Sequence, residues 1–365
     1  MNLSPALEKA YTKEHLNARE AQRLAEFIAW GPIIFQASRL MIKFGILDLL
    51  RDSDKGLIQK EIAEATHLSE YAVKVLTEAS LSIGTVLVDK DSERFTLSKT
   101  GWFLLNDPAT RVNIDFNHDV NYIGWFDLEE ALKTGKPAGL KHFGDWPTVY
   151  EALSELPEQV QKSWFGFDHF YSDASFPQAL KIVFDYKPRT LLDVGGNTGK
   201  WAMQCVGYNQ DVVVTIVDLP QQLELMRKAT AGKAGAERIK GYGMNLLDAS
   251  NAFPTDDHYD IIWMSQFLDC FSMEEIISIL SRAAKIMDKD CRLCIMETLW
   301  DRQKYETSAL CLTMTSVYFT ALANGNSKMY NTEDMEACVK AAGLYIDEVH
   351  DNLGHGHSIL VCRKA

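Results

Sequence analysis

The sequence has no run of apolar residues that approaches the roughly 18 needed to cross a lipid bilayer. Its start shows neither the basic nor the apolar segment of a secretory signal. The seven cysteines are odd in number, lie in the second half and are not spaced as a disulfide framework. Basic side chains number 37 against 50 acidic ones, and a net charge of -13 repels polyanions. We therefore expect a cytoplasmic protein with no nucleic-acid or membrane partner.

The 365 residues and their 47% hydrophobic content predict two domains or three. Apolar residues recur at helical spacing from about residue 16 to 105. Within this region, helices near Glu61 and from Ser69, followed by a hairpin from Thr85 to residue 97, predict a winged helix. We therefore predict a first domain at 1–105, then a linker with bridging helices at 106–175. Residues 106–144 are predicted to be loop-rich, and the bridging helices lie at 146–156 and 158–173.

After Pro188 the pattern changes to short apolar strands separated by helices. The predicted strands are 190–194, 212–217, 261–264, 292–296 and 358–362. Strands at this spacing are typical of a mostly parallel sheet with helices on both faces. Residues 176–365 are thus predicted to form an α/β domain of Rossmann-like type.

A glycine-rich turn follows the first of these strands. Asp193 ends the strand, Gly195, Gly196 and Gly199 form the turn, and a helix follows. Asn197 stands where a dinucleotide fingerprint has its second glycine, and Asp193 would repel a pyrophosphate. No Gly-Lys-Ser/Thr sequence forms a phosphate loop either. The turn therefore favours a ligand with a positive charge.

Asp218 closes the second strand of the domain. A carboxylate at this position accepts hydrogen bonds from both ribose hydroxyls, which selects an adenosyl group without phosphates. Taken singly, the glycine turn is often only a tight loop and the aspartate only a helix cap. Their order along the chain favours a ligand site.

Five segments together resemble one known family. They are the sequences Gly45-Ile-Leu-Asp-Leu-Leu, Glu61-Ile-Ala, Asp193-Val-Gly-Gly-Asn-Thr-Gly, Asp218-Leu-Pro, and Asp260-Ile-Ile-Trp-Met-Ser-Gln-Phe-Leu-Asp-Cys-Phe-Ser. From residue 27 to 363 the chain resembles the S-adenosylmethionine-dependent small-molecule O-methyltransferases of the caffeic-acid, chalcone and hydroxyindole type, in their bacterial branch. The resemblance implies a class I methyltransferase domain, a winged-helix dimerisation domain, a homodimer, a small-molecule acceptor, and S-adenosylmethionine as cofactor with S-adenosylhomocysteine as product.

The resemblance also implies roles for individual residues. Those implied to bind the cofactor are Asp193, Gly195, Gly196, Gly199, Asp218, Leu219, Asn245, Leu246 and Ser265. The family has an aspartate where Asn245 stands, so this side chain either contacts the adenine or only makes a turn. Those implied to line the acceptor pocket, or else to be core, are Trp164, Phe167, His169, Met314 and Phe319. No metal site is expected.

The catalytic position departs from the family pattern. Asp269 stands where the family has a histidine base, Glu297 matches one family acid, and Met329 replaces another. An exposed aspartate has a pKa near 3.9 and is a weak base for a phenol. Either burial raises the pKa of Asp269, or the acceptor needs little help, or Asp269 only shapes the pocket.

Two other functions remain open from the sequence. A family member that has lost methylation, or performs decarboxylation or hydroxylation, would explain the missing histidine. A winged-helix regulator is the second alternative, although the helix predicted at 69–81 carries Glu70, Glu78 and only Lys74 as a base. Methyl transfer, with Asp269 and Glu297 as catalytic residues, is the first interpretation.

Overall fold

The computed structural model describes residues 3–255 and 257–365. Contacts divide the chain into a smaller unit, Glu14–Val120, and a larger unit formed by Asn121–Ala365 with the segment before Glu14. That segment contains helix α1 (Pro5–Tyr11), and the Ser4 hydroxyl donates to the Gln303 carbonyl at 2.7 Å. The first unit thus ends later than residue 105, because the chain continues there into a further helix. No helix among these described residues is long and apolar enough to span a membrane.

The smaller unit is mainly helical. Its elements are α2 (Ala18–Ala29), α3 (Gly31–Lys43), α4 (Ile46–Arg51), α5 (Gln59–Thr66), α6 (Glu70–Ile83), β1 (Val86–Val88), β2 (Phe95–Leu97), α7 (Lys99–Asn106) and α8 (Pro108–Phe116). Met41, Leu47, Ile62 and Val73 lie in its apolar core. Strands β1 and β2 pair antiparallel after α5 and α6, so the predicted pair of helices with its hairpin is confirmed.

Residues 106–144, predicted to be loop-rich, are instead largely helical. The side chain of Asp107 accepts from the N–H of Thr110 at 2.8 Å and begins α8. A π-helical turn (Asn117–Asn121), a 3₁₀ turn (Gly124–Asp127), α9 (Leu128–Thr134) and a second 3₁₀ turn (Ala138–His142) follow. Gly139 is buried, and a Cβ there would meet the Gly124 carbonyl oxygen at 2.5 Å. This glycine permits close packing and does not mark a flexible linker.

The larger unit contains a sheet that is mostly parallel, as predicted. Its described strands are β3 (Thr190–Val194), β4 (Val213–Asp218), β5 (Ile239–Gly243), β6 (Ile261–Ser265), β7 (Arg292–Glu297), β8 (Leu344–Leu353) and β9 (His357–Lys364). They lie in the order β5-β4-β3-β6-β7-β9-β8, and β9 runs antiparallel to both β7 and β8. Strands β5 and β8 are additional to the predicted set.

Helices cover both faces of this sheet. The described helices after α9 are α10 (Val149–Ala152), α11 (Glu158–Asp173), α12 (Phe176–Asp185), α13 (Lys200–Tyr208), α14 (Pro220–Thr230), α15 (Met273–Ile286), α16 (Glu306–Tyr318) and α17 (Thr332–Ala341). Further 3₁₀ turns are Ala236–Arg238, Leu268–Cys270 and Trp300–Arg302, and Phe319–Ala323 is a π-helical turn. The first bridging helix is shorter than predicted, since only α10 forms within 146–156. Two apolar clusters lie on opposite sides of the strands.

The sheet brings the ends of four strands to one edge. Strands β3, β4, β6 and β7 are parallel neighbours, so Asp218, Ser265 and Glu297 all lie at their carboxyl ends. Ligands of open α/β sheets bind at this edge. Trp201, in the first turn of α13, stacks on Trp263 of β6 with ring centroids 4.3 Å apart.

Candidate functional site

The glycine turn between β3 and α13 has the backbone of a ligand loop. Gly195 and Gly199 have φ values of +75° and +78°, and Asn197 has a φ of 49°. The N–H of Gly195 donates to the Val217 carbonyl at 2.8 Å, which ties the turn to β4. Positive φ suits glycine, so the sequence signal for the turn has a physical cause.

Two glycines of the turn also have no room for a side chain. A Cβ on Gly195 would meet the Phe267 ring at 2.3 Å. A Cβ on Gly196 would meet Asp193 Oδ2 at 2.6 Å and Ile216 Cγ2 at 2.8 Å. Phe267, which follows β6, therefore lies against the turn, a contact that the sequence analysis missed.

Asp193 is buried beneath this turn, with 2% of its surface exposed. Burial, followed by the charge of Asp218, raises its pKa to about 8. Its Oδ2 has no hydrogen-bond partner among the described residues. A buried carboxyl oxygen without a donor is unfavourable, and a ligand that donates a hydrogen bond or carries a positive charge would relieve it.

Asp218 lies half-buried at the end of β4. Its Oδ2 accepts from the N–H of Asn197 at 2.8 Å and its Oδ1 accepts from the N–H of Leu219 at 2.7 Å. Burial raises the pKa of Asp218, while these two hydrogen bonds oppose the rise. Each oxygen keeps a lone pair, so the carboxylate can still accept from two ligand hydroxyls.

Three further predicted cofactor residues lie at different depths. Ser265 ends β6 and is half-buried. Leu246 is 7% exposed within an apolar cluster. Asn245 is exposed, and its Oδ1 accepts from the N–H of Leu247 at 3.0 Å, which is the turn geometry allowed by the sequence. Its part in ligand binding stays a prediction.

Asp269 lies in the 3₁₀ turn after β6 and is 5% exposed. Burial raises its pKa to about 7, with a further rise from the charge of Asp168, while a hydrogen bond with Cys270 opposes it. The thiol of Cys270 donates to Asp269 Oδ1 at 3.5 Å. A carboxyl group with a pKa near neutrality can take a proton and release it.

Glu297 holds the turn that carries Asp269. Its Oε1 accepts from the N–H groups of Phe267 and Leu268 at 2.9 and 2.7 Å. It is 3% exposed, and its Oε2 has no hydrogen-bond partner within residues 3–255 and 257–365. Burial and then the charge of Asp269 raise the pKa of Glu297 well above its ordinary value. The structure therefore brings together the two carboxyl groups that the sequence analysis selected.

Three polar side chains that the sequence analysis did not select form a hydrogen-bonded series at the end of β6. Asp168 on α11 accepts at Oδ1 from Gln266 Nε2 at 3.1 Å. Gln266 Oε1 lies 3.1 Å from Nε2 of His357, which is fully buried at the start of β9. Burial lowers the pKa of His357 to about 3, so this imidazole is neutral. Because the atom of Gln266 that faces it is a carbonyl oxygen, Nε2 carries the proton and donates. Gln266 has a φ of 47°, an uncommon value for a residue that is not glycine.

The residues predicted to line the acceptor pocket lie on α11, on α16 and in the π-helical turn after α16. Trp164 donates from Nε1 to the Tyr318 hydroxyl at 2.7 Å, and Phe319, next along the chain, is 5% exposed. His169 stacks on Phe165 in the same helix as Trp164. The remaining two residues of the predicted set are Phe167 and Met314. The ring centroid of Phe167 lies 4.9 Å from that of Tyr171, and Met314 is 56% exposed on α16.

In the part of the chain that the structure describes, no group of three or more histidine, cysteine, aspartate or glutamate side chains could hold a metal ion. The site combines a turn for a hydroxyl-rich, positively charged ligand with a buried carboxyl pair.

Comparisons with known proteins agree on this fold. A family model described as a Dimerisation2-like domain matches residues 22–95, and one described as a methyltransferase domain matches residues 167–349. Mitomycin biosynthesis 6-O-methyltransferase of Streptomyces lavendulae is 20% identical over 90% of this chain and 90% of its own.

Solved structures have the same architecture. The apo form of SibL, an S-adenosylmethionine-dependent methyltransferase, matches with a TM-score of 0.69 and 23% identity, covering 93% of this chain and 98% of its own. The O-methyltransferase NcsB1 from neocarzinostatin biosynthesis, solved with S-adenosylmethionine and 2-hydroxy-5-methyl naphthoic acid, matches with a TM-score of 0.66 and 17% identity, covering 91% and 96%. The predicted two-part fold is confirmed.

Proposed function

Because the chain belongs to the methyltransferase family, we propose that it transfers the methyl group of S-adenosylmethionine to an oxygen atom of a small-molecule acceptor. The observation that carries the proposal is the buried Asp269, with a pKa near 7, at the same sheet edge as the glycine turn and Asp218. The names of the relatives support oxygen as the acceptor atom, since mitomycin biosynthesis 6-O-methyltransferase and NcsB1 are both O-methyltransferases.

The residues at the turn fit this cofactor. Asp193 has a buried oxygen without a hydrogen-bond partner among the described residues. Gly195 and Gly196 carry no side chain, so a ligand can approach their backbone closely. Both oxygens of Asp218 keep a lone pair. We propose that Asp218 binds the ribose hydroxyls and that Gly195, with Asp193 beneath it, holds the methionine end. Leu219, Leu246, Asn245 and Ser265 complete the proposed binding residues. When bound, S-adenosylmethionine would supply a methyl group on a sulfonium. An oxygen nucleophile attacks the methyl carbon directly, and S-adenosylhomocysteine is the leaving group.

Asp269 acts in this proposal as the base that accepts the acceptor's proton. A phenol has a pKa near 10, so full proton transfer to a carboxylate of ordinary pKa near 3.9 costs on the order of 8 kcal/mol. The cost falls to about 4 kcal/mol when the carboxylate has a pKa of about 7, as burial gives Asp269. Burial therefore supplies much of what the absent histidine would have supplied.

Glu297 acts through Asp269, whose turn it holds. Its hydrogen bonds to Phe267 and Leu268 fix the 3₁₀ turn, so Asp269 is held without movement of the loop. A base held at one place loses little entropy when the acceptor binds. We accordingly assign Glu297 a positioning role. Trp164, Phe167, His169, Met314 and Phe319 are proposed to line the acceptor.

We also propose that the protein is a homodimer in the cytoplasm. The Dimerisation2-like match at residues 22–95 supports self-association. All seven cysteines are free thiols, which fits a reducing compartment.

The proposal is tested in two stages. Calorimetry on the full chain should show binding of S-adenosylhomocysteine and none of NAD, and Asp218→Ala should weaken binding about 100-fold, since two charged hydrogen bonds are lost. Asp211→Ala, at an exposed site, is the matched control. Transfer of labelled methyl groups to a panel of small phenols then tests the reaction. Binding of NAD as tight as that of S-adenosylhomocysteine would overturn the cofactor assignment.

A further inference from the structure

Asp168 has one oxygen held in place and one available. Its Oδ1 accepts from Gln266, whereas its Oδ2 lies 3.7 Å from His169 Nδ1, too far for a hydrogen bond. The side chain is 28% exposed, so solvent or a ligand can reach it. Asp168 is therefore a carboxylate fixed at one atom and open at the other.

Gln266, which holds Asp168, is itself held by His357. The Gln266 amide nitrogen donates to Asp168, so Gln266 Oε1 faces the buried, neutral His357 and accepts from Nε2 of that imidazole. An amide in this orientation donates to a carboxylate and to nothing positive. Three elements of the chain, at α11, after β6 and at β9, thus combine to hold a single carboxylate beside the proposed acceptor site.

Three buried or half-buried carboxyl groups lie here with little positive charge to favour their ionised forms, and burial raises the pKa of Asp168 as it does those of the other two. The charge of Asp168 raises the pKa of Asp269, and the charge of Asp269 raises that of Glu297. The basic side chains that act on Asp168 are His169 and Lys200, and Lys200 already binds Asp173 at 2.9 Å. A cation is the ligand that such a set of carboxylates favours.

A second observation points to a ligand. Glu297 is 3% exposed and its Oε2 has no partner among the described residues, although the charge of Asp269 acts directly on this carboxyl group. Among the described residues, the protein supplies donors to one oxygen of Glu297 and none to the other. A buried oxygen left in this way is satisfied when a donor enters the site.

Aromatic rings lie beside the same carboxylates. Trp164 is one helical turn before Asp168, on the same face of α11, and donates to the Tyr318 hydroxyl. The charges of Asp168 and Asp269 both raise the pKa of Tyr318, so this ring lies near each of them. Aromatic faces attract cations within about 6 Å of the ring centre.

Resting on the proposed function, we infer that the acceptor is a hydroxylated amine, whose protonated nitrogen binds Asp168 among these aromatic rings while its hydroxyl faces Asp269. Asp168 is then a specificity-determining residue: it selects cationic acceptors and rejects anionic ones. A cation at this place would also reduce the mutual repulsion of Asp168 and Asp269.

Three phenols of similar shape test the inference. Tyramine, 4-ethylphenol and 4-hydroxyphenylacetate share a ring and a hydroxyl but carry a positive charge, no charge and a negative charge. Binding is measured by calorimetry on the full chain saturated with S-adenosylhomocysteine. We expect tyramine to bind about 10-fold or more tightly than 4-ethylphenol, and 4-hydroxyphenylacetate to bind most weakly.

Matched variants test the role of Asp168. Asp168→Asn should abolish the preference for tyramine, whereas Asp168→Glu should keep part of it and Asp290→Asn, at an exposed site, should leave it unchanged. Equal binding of the three phenols, preference for the anion, or no binding of tyramine at millimolar concentration would overturn the inference. Failure of the protein to bind S-adenosylhomocysteine would instead overturn the proposed function, so the two failures are distinguishable.

Discussion

Glu297 accepts a hydrogen bond from the backbone of Leu268 at 2.7 Å, and one buried carboxyl group thereby fixes the turn that carries another. Asp269 follows Leu268 directly, so its position depends on Glu297 although the two residues lie 28 positions apart in the sequence. The pair is supported from other elements as well. Asn324 donates to the Cys270 carbonyl and Tyr330 donates to the Phe271 carbonyl, each at 2.6 Å.

The first prediction concerns Asp269 as a base. Asp269→Asn keeps the shape of the side chain but cannot accept a proton, so we expect the rate of methyl transfer to fall about 100-fold or more. Binding of S-adenosylhomocysteine should be unchanged. Asp290→Asn, at an exposed site, should retain full activity. An Asp269→Asn enzyme as active as the wild type would show that positioning alone supports the reaction.

Asp269→His gives a complementary result. Restoring the family's imidazole should increase methylation of simple phenols if the base limits the rate. No gain would show that the shape and charge of the pocket decide which acceptors react.

The second prediction concerns the pH dependence of the reaction. The base must be ionised, so kcat/KM for a neutral phenol should fall as the pH drops through about 7, the pKa of Asp269. An ordinary aspartate would lose activity only near pH 4. Asp168→Asn removes a charge that raises this pKa and should move the acidic limb to lower pH. An unchanged limb in that variant would show that another group titrates.

The third prediction concerns stability without the cofactor. Burial raises the pKa of Asp193 to about 8, so the folded protein holds this proton more tightly than the unfolded chain. The stability contributed by the protonated form is present in acid and is lost as the pH rises from about 4 towards 8. Asp193→Asn is neutral throughout and avoids that loss.

Melting temperatures at about pH 5 and about pH 9 measure the effect. The variant should gain stability over the wild type at the higher pH while losing affinity for S-adenosylhomocysteine. Asp211→Asn, on the surface, should show the same difference from the wild type at both pH values. A constant difference for Asp193→Asn as well would show that Asp193 keeps an ordinary pKa.

The fourth prediction concerns the glycine turn. Gly195→Ala places a Cβ at 2.3 Å from the Phe267 ring and requires a φ of +75°. We expect a loss of about 1 to 3 kcal/mol in the free energy of unfolding and weaker cofactor binding. Gly207→Ala, in α13 with nothing within 4 Å of the added Cβ, should be neutral or stabilising by up to about 1 kcal/mol. Equal behaviour of the two variants would contradict the close contact.

The fifth prediction concerns self-association. In the smaller unit, Ile28 and Ile33 are 72% and 60% exposed, and α2 has no buried residue, so apolar surface is left for a second copy. Light scattering should report about twice 41.2 kDa. Ile28→Glu should shift the protein towards the monomer, with Glu26→Gln in the same helix as control. A wild-type monomer at high concentration would exclude the homodimer.

Much of the fold could be predicted from the sequence because the motifs that specify it consist of residues close together in the chain. The glycine turn and the end of β4 at Asp218 each follow from a few neighbouring residues. Strand β5 was missed because it lies at an edge, with most of its residues exposed, so it has no apolar pattern. The alternating burial of β8 is interrupted by irregular pairing with β9, which hides its period.

The carboxyl site was predicted only in part. Asp269 and Glu297 were selected because the family resemblance places its histidine base and one of its acids at these two positions. Asp168 was not, since its significance depends on Gln266 and His357, which are separated from it by 98 and 189 residues in the chain and meet it only in the fold. Burial of Asp269, which sets its pKa, is equally a property of the assembled unit.

The stacked indoles of Trp201 and Trp263 provide an optical consequence. Rings 4.3 Å apart and 16° from parallel couple their electronic transitions, so this pair should give a distinct near-ultraviolet circular dichroism signal. Trp263 is the neighbour of Asp193 in the register of β3 and β6, so their side chains project from the same face of the sheet. Ionisation of that carboxyl group should therefore change the spectrum of the pair, and occupation of the glycine turn could be followed by light without any attached label.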